Sequence, residues 1–327
     1  MNATLYRILN TQSETGRTGQ MVDLMAAYLY EAGALIKIDK RGNLFATKGT
    51  PPTGEHYPCM AAHLDTVHDI IDPDNYTVIE LGGKAVAMDS STLQFAGIGG
   101  DDKCGLYIAL QVLRSLDFCK VALFVDEESG CEGSEACSLD FFADCGYIIQ
   151  NDRRGAVDVV PTILGTSIAS DQFCAVVEPM LEPYGRRWCD TGGLTDVYAL
   201  ANRGVGISAL NIACAYYNPH QLNEYIDIQQ LERTLRFNLE IVNALGSSHY
   251  PHQPQRPSHW VYGRDYDWDG PLFSARDKRT HHLPSDDKGD PICQVCGNAG
   301  GISGDHWGYW CESCGAYSYE PAADWEI

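Results

Sequence analysis

Apolar positions in the first 246 residues switch repeatedly between two periods. In residues 18–32, Val22, Met25 and Leu29 recur at spacings of three and four, which predicts a helix, and Gly33 stands where such a helix stops. Short apolar runs at residues 57–62, 120–125, 147–150 and 205–213 read as strands. Residues 103–116, 195–203 and 228–245 read as helices. In the last of these Leu231, Leu235, Ile241 and Leu245 make one apolar stripe, Asp227 is placed to cap the start, and Gly246 ends the pattern. Strands alternating with helices predict an α/β fold, a mixed and largely parallel sheet flanked by helices.

The pattern stops at Gly246. Residues 247–290 contain the run PHQPQRPSHW and little periodic apolar content, so they read as a linker or draped arm, and residues 291–327 as a separate small module. The expected organisation is therefore a domain at 1–246, an arm at 247–290 and a module at 291–327.

Charge narrows the partners. Lys and Arg total 23 against 44 Asp and Glu, a formal net charge of −21, and such a surface repels phosphate backbones and anionic headgroups. Neither nucleic acid nor a membrane surface is an expected partner. The first residues, MNATLYRILNTQ, lack the basic-then-apolar order of a signal peptide, and no apolar run approaches the ~18 residues of a membrane span, so a soluble, cytoplasmic protein is expected. Nine cysteines scattered over residues 59–214 have no framework spacing and read as reduced, buried small residues.

Four apolar strands are each followed by metal-liking side chains: His63 and Asp65 in CMAAHLD, Glu127 and Glu128 in VALFVDEE, Asp152 in YIIQND, and His220 in SALNIACAYYNPH. A fifth contributor, Asp101 in GDDK, opens a helix. Alone, each has a plainer reading: a hydrogen-bonded His–Asp pair, a solvated loop, an N-cap, a surface ion pair, a satisfied histidine. Together they occur in order at strand ends or a helix start, where ligands bind in open α/β sheets. Three carboxylates and two imidazoles suit two borderline divalent ions, zinc above all, with one carboxylate shared between them.

These stretches resemble a known family. MAAHLDTV, GIGGDDKCG, VDEESG, QND and NPHQLNEYIDIQQL, with the leading RTGQMVDLMAAYLYEAGALIKIDKRGNLFATK, are similar to the dizinc metallopeptidases of the M20 type. The resemblance implies one zinc on His63, Asp101 and Asp152 and a second on Asp101, Glu128 and His220, with cobalt or manganese as substitutes. It implies Asp65 as the carboxylate orienting His63, and Glu127 as the general base that takes a proton from a metal-bridging water. It also implies a cis peptide between Asp101 and Asp102. The family's lid domain, about a hundred residues before the final histidine, has no room here, because only 67 residues separate Asp152 from His220. That makes the architecture closer to lidless aminopeptidases of the M28 type. Thr191–Asp196 resembles the family's GG-x-D segment, which gives Asp196 a candidate role in positioning a substrate amine, against a plain helix cap. Arg153 and Arg154 are candidates to meet a substrate carboxylate.

Near the end, Cys293, Cys296, Cys311 and Cys314 form two C-x2-C pairs 14 residues apart, the spacing of a four-thiolate site, and resemble a zinc ribbon holding one structural zinc. A rubredoxin-like iron site is the other metal option. With no Lys or Arg after Lys288, the module is poorly suited to phosphate and better suited to a protein contact. The expected function is an aminopeptidase acting on short peptides. The alternatives are a deacylase of N-acyl-amino acids with the same chemistry, and a catalytically silent protein recruiting a partner through the ribbon.

Overall fold

The computed structural model describes residues 1–254 and, further on, the backbone of three strands at 302–305, 308–311 and 317–319. Cys293, Cys296 and Cys314 lie outside the described residues, as does the Cys311 side chain, and with them the four-thiolate site. The chain forms two compact units, Met1–Arg256 and Pro257–Ile327.

The first unit opens with α1 (Ala3–Asn10), α2 (Gly19–Glu31), β1 (Ala34–Ile38), β2 (Leu44–Lys48) and β3 (Tyr57–His63). Next come β4 (Tyr76–Leu81), β5 (Lys84–Asp89), β6 (Gln94–Phe95), α3 (Gly100–Ser115), β7 (Cys119–Phe124), α4 (Glu132–Ala136) and β8 (Cys145–Gln150). Then follow β9 (Asp158–Val160), β10 (Thr162–Ile163), β11 (Thr166–Ser167), α5 (Asp171–Leu181), β12 (Arg187–Trp188) and α6 (Asp196–Asn202). β13 (Ala209–Ile212), β14 (Tyr216–Tyr217), β15 (Tyr225–Asp227) and α7 (Ile228–Leu245) complete it.

Eight strands form the main sheet in the order β1-β2-β7-β3-β8-β13-β9-β12. Its centre, β7-β3-β8-β13, is parallel, so four carboxyl ends point the same way, while β1, β2 and β9 run antiparallel to their inner neighbours. β3, β7 and β8 are buried along their whole length, as strands covered on both faces must be. Alternation along β3 divides the core: Met60 and Ala62 belong with the apolar sides of α1, α2, α3, α5 and α7, whereas Cys59 and Ala61 belong with Phe142 and with Val197 and Leu200 of α6. A second sheet, β14-β15-β5-β4 with β6 on β5, completes the unit.

The expected α/β architecture is observed. The strand expected at 205–213 is shorter, because Gly204 and Gly206 turn the chain with φ of 83° and 80° before β13 begins. Helix α3 begins earlier than expected, at Gly100, but Asp101 and Asp102 within it are not helical. α1 was not read from the sequence. The residues between Asp152 and His220 build β9 to β14, α5 and α6, elements of the sheets and their covering helices, and no separate lid stands there among the described residues.

The chain does not leave the domain at Gly246. Tyr250 donates its N–H to Gly146 O and accepts from Ser208 N, Pro251 bridges Ile207, and the Tyr250 ring is buried against Tyr147 and Phe173. Residues 247–252, expected in the arm, are thus part of the first unit's packing. No helix among the described residues is long and apolar enough to cross a membrane. In the second unit the described strands β16 (Ile302–Asp305), β17 (Gly308–Cys311) and β18 (Tyr317–Tyr319) pair antiparallel in that order.

Candidate active site

His63, the last residue of β3, is fixed by the strand. Its N–H donates to Asp102 Oδ2 at 3.1 Å and its ring Nδ1 lies 2.9 Å from Asp65 O. That bond assigns a proton to Nδ1 and directs Nε2 among carboxylates, where it would offer its lone pair to a cation. Nε2 is 3.1 Å from Asp101 Oδ1, 3.7 Å from Asp152 Oδ1 and 3.9 Å from Glu127 Oε2.

Asp65 is buried two residues further on. Its carboxylate accepts the N–H groups of Glu127 at 3.0 Å and Glu128 at 3.3 Å and the Thr15 hydroxyl at 2.9 Å, while its carbonyl orients His63. It therefore locks the β7 turn to the β3 end as well as setting the imidazole. That turn passes through Asp126 in the left-handed region, φ 56°, before presenting both glutamates.

Asp101 stands at the start of α3 and is joined to Asp102, on its carboxyl side, by a cis peptide. Its two oxygens face different imidazoles: Oδ1 meets His63, and Oδ2 lies 3.5 Å from His220 Nε2. His220, itself at φ 62°, also lies 3.1 Å from Glu128 Oε2, and with its side chain 46% exposed it marks the open side of the site. Asp152, beyond β8, has its carboxylate held by the hydroxyls of Thr195 at 2.7 Å and Tyr216 at 3.3 Å and by Gln150 Nε2 at 3.3 Å. All five expected ligand side chains, with Glu127, meet in one place.

Two expected substrate residues are placed differently. Asp196 is fully buried at the first position of α6, with Oδ2 3.3 Å from Gln150 Nε2, and Thr195 occupies the capping position. It sits behind Asp152, sharing Gln150 with it, rather than on the open side. Arg153 donates from Nε and Nη2 to the one Asp158 oxygen Oδ2, at 3.0 and 2.8 Å, and ties the chain before β9 to that strand.

The sequence reading missed Glu224. This fully buried carboxylate accepts from Gly99 N at 2.8 Å, Asp101 N at 3.0 Å and His68 Nε2 at 3.0 Å. It follows His220 by four residues, so one loop both supplies an imidazole and clamps the backbone of the carboxylate facing it. Gly100 makes the clamp possible, since a Cβ there would stand 2.6 Å from Tyr216 Cβ and 3.2 Å from Glu224 Oε1. Its one sequence signal was its place inside NPHQLNE.

The electrostatics fit metal cations. Burial, then mutual repulsion, pushes Glu127 and Asp152 above the ordinary carboxylate range, and Glu128 and Asp196 up to about 7. Burial opposes charge on His63 and His220 too, but the facing carboxylates override it and raise both. Glu128 Oε1 is buried without a hydrogen-bond partner. His63 is close enough to hold an ion either with Asp101 and Glu128 or with Asp102 and Asp152, two overlapping groups that share its one free ring nitrogen. Acids crowded around two imidazoles, with one carboxylate oxygen orphaned, make a donor set that fits divalent cations.

The aminopeptidase PepT of Bacillus cereus superposes with a TM-score of 0.63 at 16% identity, over 74% of this chain and 96% of its own. A tripeptidase of Staphylococcus aureus gives 0.60 at 15%, over 73% and 96%. This chain has their fold. The TET1 peptidase of Pyrococcus horikoshii, which assembles into a tetrahedron or a large octahedral shell, gives 0.52 at 15%, over 73% and 98%. No protein-family model and no curated protein sequence matches the chain.

Proposed function

We propose that this protein is a metal-dependent aminopeptidase that releases residues from the free amino termini of short peptides. The observation that carries the reading is Asp101, whose two carboxylate oxygens face His63 and His220 from opposite sides, the arrangement of a carboxylate shared by two ions. His63, Asp101 and Asp152 would hold one divalent ion, and Asp101, Glu128 and His220 the other, with zinc preferred for its affinity for imidazole and carboxylate. The motif wording supports an M20-type metallopeptidase without a lid. The fold shared with an aminopeptidase and a tripeptidase supports peptide substrates.

When bound, such ions lower the pKa of a water and polarise the scissile carbonyl. Glu127, raised in pKa and not needed as a ligand, takes a proton from the attacking water and returns it to the departing amine. Asp65 holds Glu127 at its backbone N–H while orienting His63, so base and ligand are positioned by one side chain. Charge favours a free amino terminus: two divalent ions would ionise the carboxylates that burial and repulsion raise, and Asp65, Asp101, Glu127, Glu128, Asp152 and Asp196 would then carry six negative charges against four positive ones, a site that attracts an ammonium and disfavours an N-acylated, anionic substrate. At the C-terminus, the cysteine spacing supports a zinc ribbon as an appended module.

Hydrolysis of a panel of di- and tripeptides, free and N-acylated, by the wild type beside Glu127→Gln tests this. Cleavage restricted to free amino termini and lost in the variant is expected. Cleavage of acylated substrates alone would move the protein to the deacylases, and no turnover dependent on Glu127 would favour a silent binding protein.

A further inference from the structure

The turn that carries Glu127 buries a thiol beside it. Cys131 is fully buried, and its Sγ lies 3.5 Å from Glu127 Oε1, within range for a thiol hydrogen bond. Resting on the general-base reading of Glu127, we propose that Cys131 is a positioning residue, its thiol donating to the carboxylate so that Oε2 remains turned toward the reacting centre.

The backbone holds the thiol in place. Cys131 N donates to Glu127 O at 2.8 Å, and Cys131 O accepts from Glu135 N at 2.9 Å and the Ser134 hydroxyl at 3.1 Å. The residue is kept at φ 60°, a left-handed conformation that costs a non-glycine residue energy, so the turn retains a side chain where glycine would be more comfortable. The other Glu127 oxygen, Oε2, is the one 3.9 Å from His63 Nε2, so the two oxygens are divided between holding and reacting. Burial first, and then the neighbouring carboxylates, raise the thiol's pKa, which keeps it a protonated donor. Among the described residues no other cysteine hydrogen-bonds Glu127.

Two measurements test this in the full-length protein. Steady-state kinetics of Cys131→Ala and Cys131→Ser separate packing from donation, because alanine removes the donor while serine keeps one. The alanine variant should lose about tenfold in kcat with KM unchanged, about 1.4 kcal/mol of barrier, and serine should restore kcat to within about twofold. The S–H stretching band of Cys131, isolated in the infrared as the wild type minus Cys131→Ser difference, should shift to higher frequency in Glu127→Gln as the charged acceptor is lost. Equal kcat for Cys131→Ala and the wild type, or a band unmoved by Glu127→Gln, overturns the inference. If Glu127→Gln is inactive while Cys131→Ala is fully active, the general-base reading survives alone; full activity of Glu127→Gln overturns both.

Discussion

At the scale of the residue, the site divides side chains that would touch metal or substrate from those that hold them. Glu127 belongs to the first group, and its replacement by glutamine should lower kcat by about 10²–10⁴-fold without reducing the metal content of the protein, as measured by elemental analysis beside kinetics. Glu224 belongs to the second. It touches the Asp101 backbone rather than its carboxylate, so Glu224→Ala should weaken metal affinity by about 10–100-fold in chelator competition, with Glu224→Gln intermediate because it keeps an acceptor. Unaltered affinity in both variants would remove Glu224 from the site. Arg153 donates two hydrogen bonds to Asp158 Oδ2, which favours a structural role for it. Burial alone would raise the Asp158 carboxyl, but Arg153 and then Arg187 hold it below the usual range. The stability from this cluster is therefore full above the unfolded carboxyl pKa and is lost as pH falls through the lower folded one. Arg153→Ala should accordingly destabilise the protein at pH 7 but progressively less in denaturant titrations carried below about pH 4, while KM for every peptide stays the same. A raised KM would restore Arg153 as a substrate contact.

At the scale of the element, the amino-acid order exposed some features and hid others for physical reasons. β3, β7 and β8 were legible because strands buried on both faces must be continuous apolar runs, and α7 because its stripe, its Asp227 cap and its terminal Gly246 agree. His63, Glu128 and Asp152 were legible because they end or follow those strands, Asp101 because it opens α3, and His220 because it comes after the apolar run that holds β13. What stayed hidden depends on contacts between distant segments. Glu224 acts 123 residues from Asp101, and Cys131 reads as one more buried cysteine until the turn folds its thiol onto Glu127. Asp126, Cys131 and His220 adopt left-handed backbone with no glycine to signal it. The segment after Gly246 was hidden too, since its attachment rests on single backbone bonds and one ring. Tyr250→Ala in the full chain should therefore lower the free energy of unfolding by about 3 kcal/mol in urea titrations, the cost of emptying a buried aromatic site against Tyr147 and Phe173. A change under about 0.5 kcal/mol would return residues 247–252 to the arm.

At the scale of the whole molecule, a parallel centre brings four strand ends to one edge, and the second sheet contributes the loop that carries His220 and Glu224. With a formal charge of −21 overall and six carboxylates gathered at this edge, the folded domain carries self-repulsion that bound cations relieve. Removing metal by chelation should lower Tm, and adding zinc should recover it in a concentration-dependent way. If five side chains from these loops hold two ions with Asp101 between them, anomalous diffraction at the zinc edge from crystals of the zinc-loaded protein should show two peaks about 3.5–4 Å apart, one against His63 and Asp152 and one against Glu128 and His220, with Asp101 reaching both. A single peak at this edge, or a pair in which Asp101 touches neither, would contradict this arrangement.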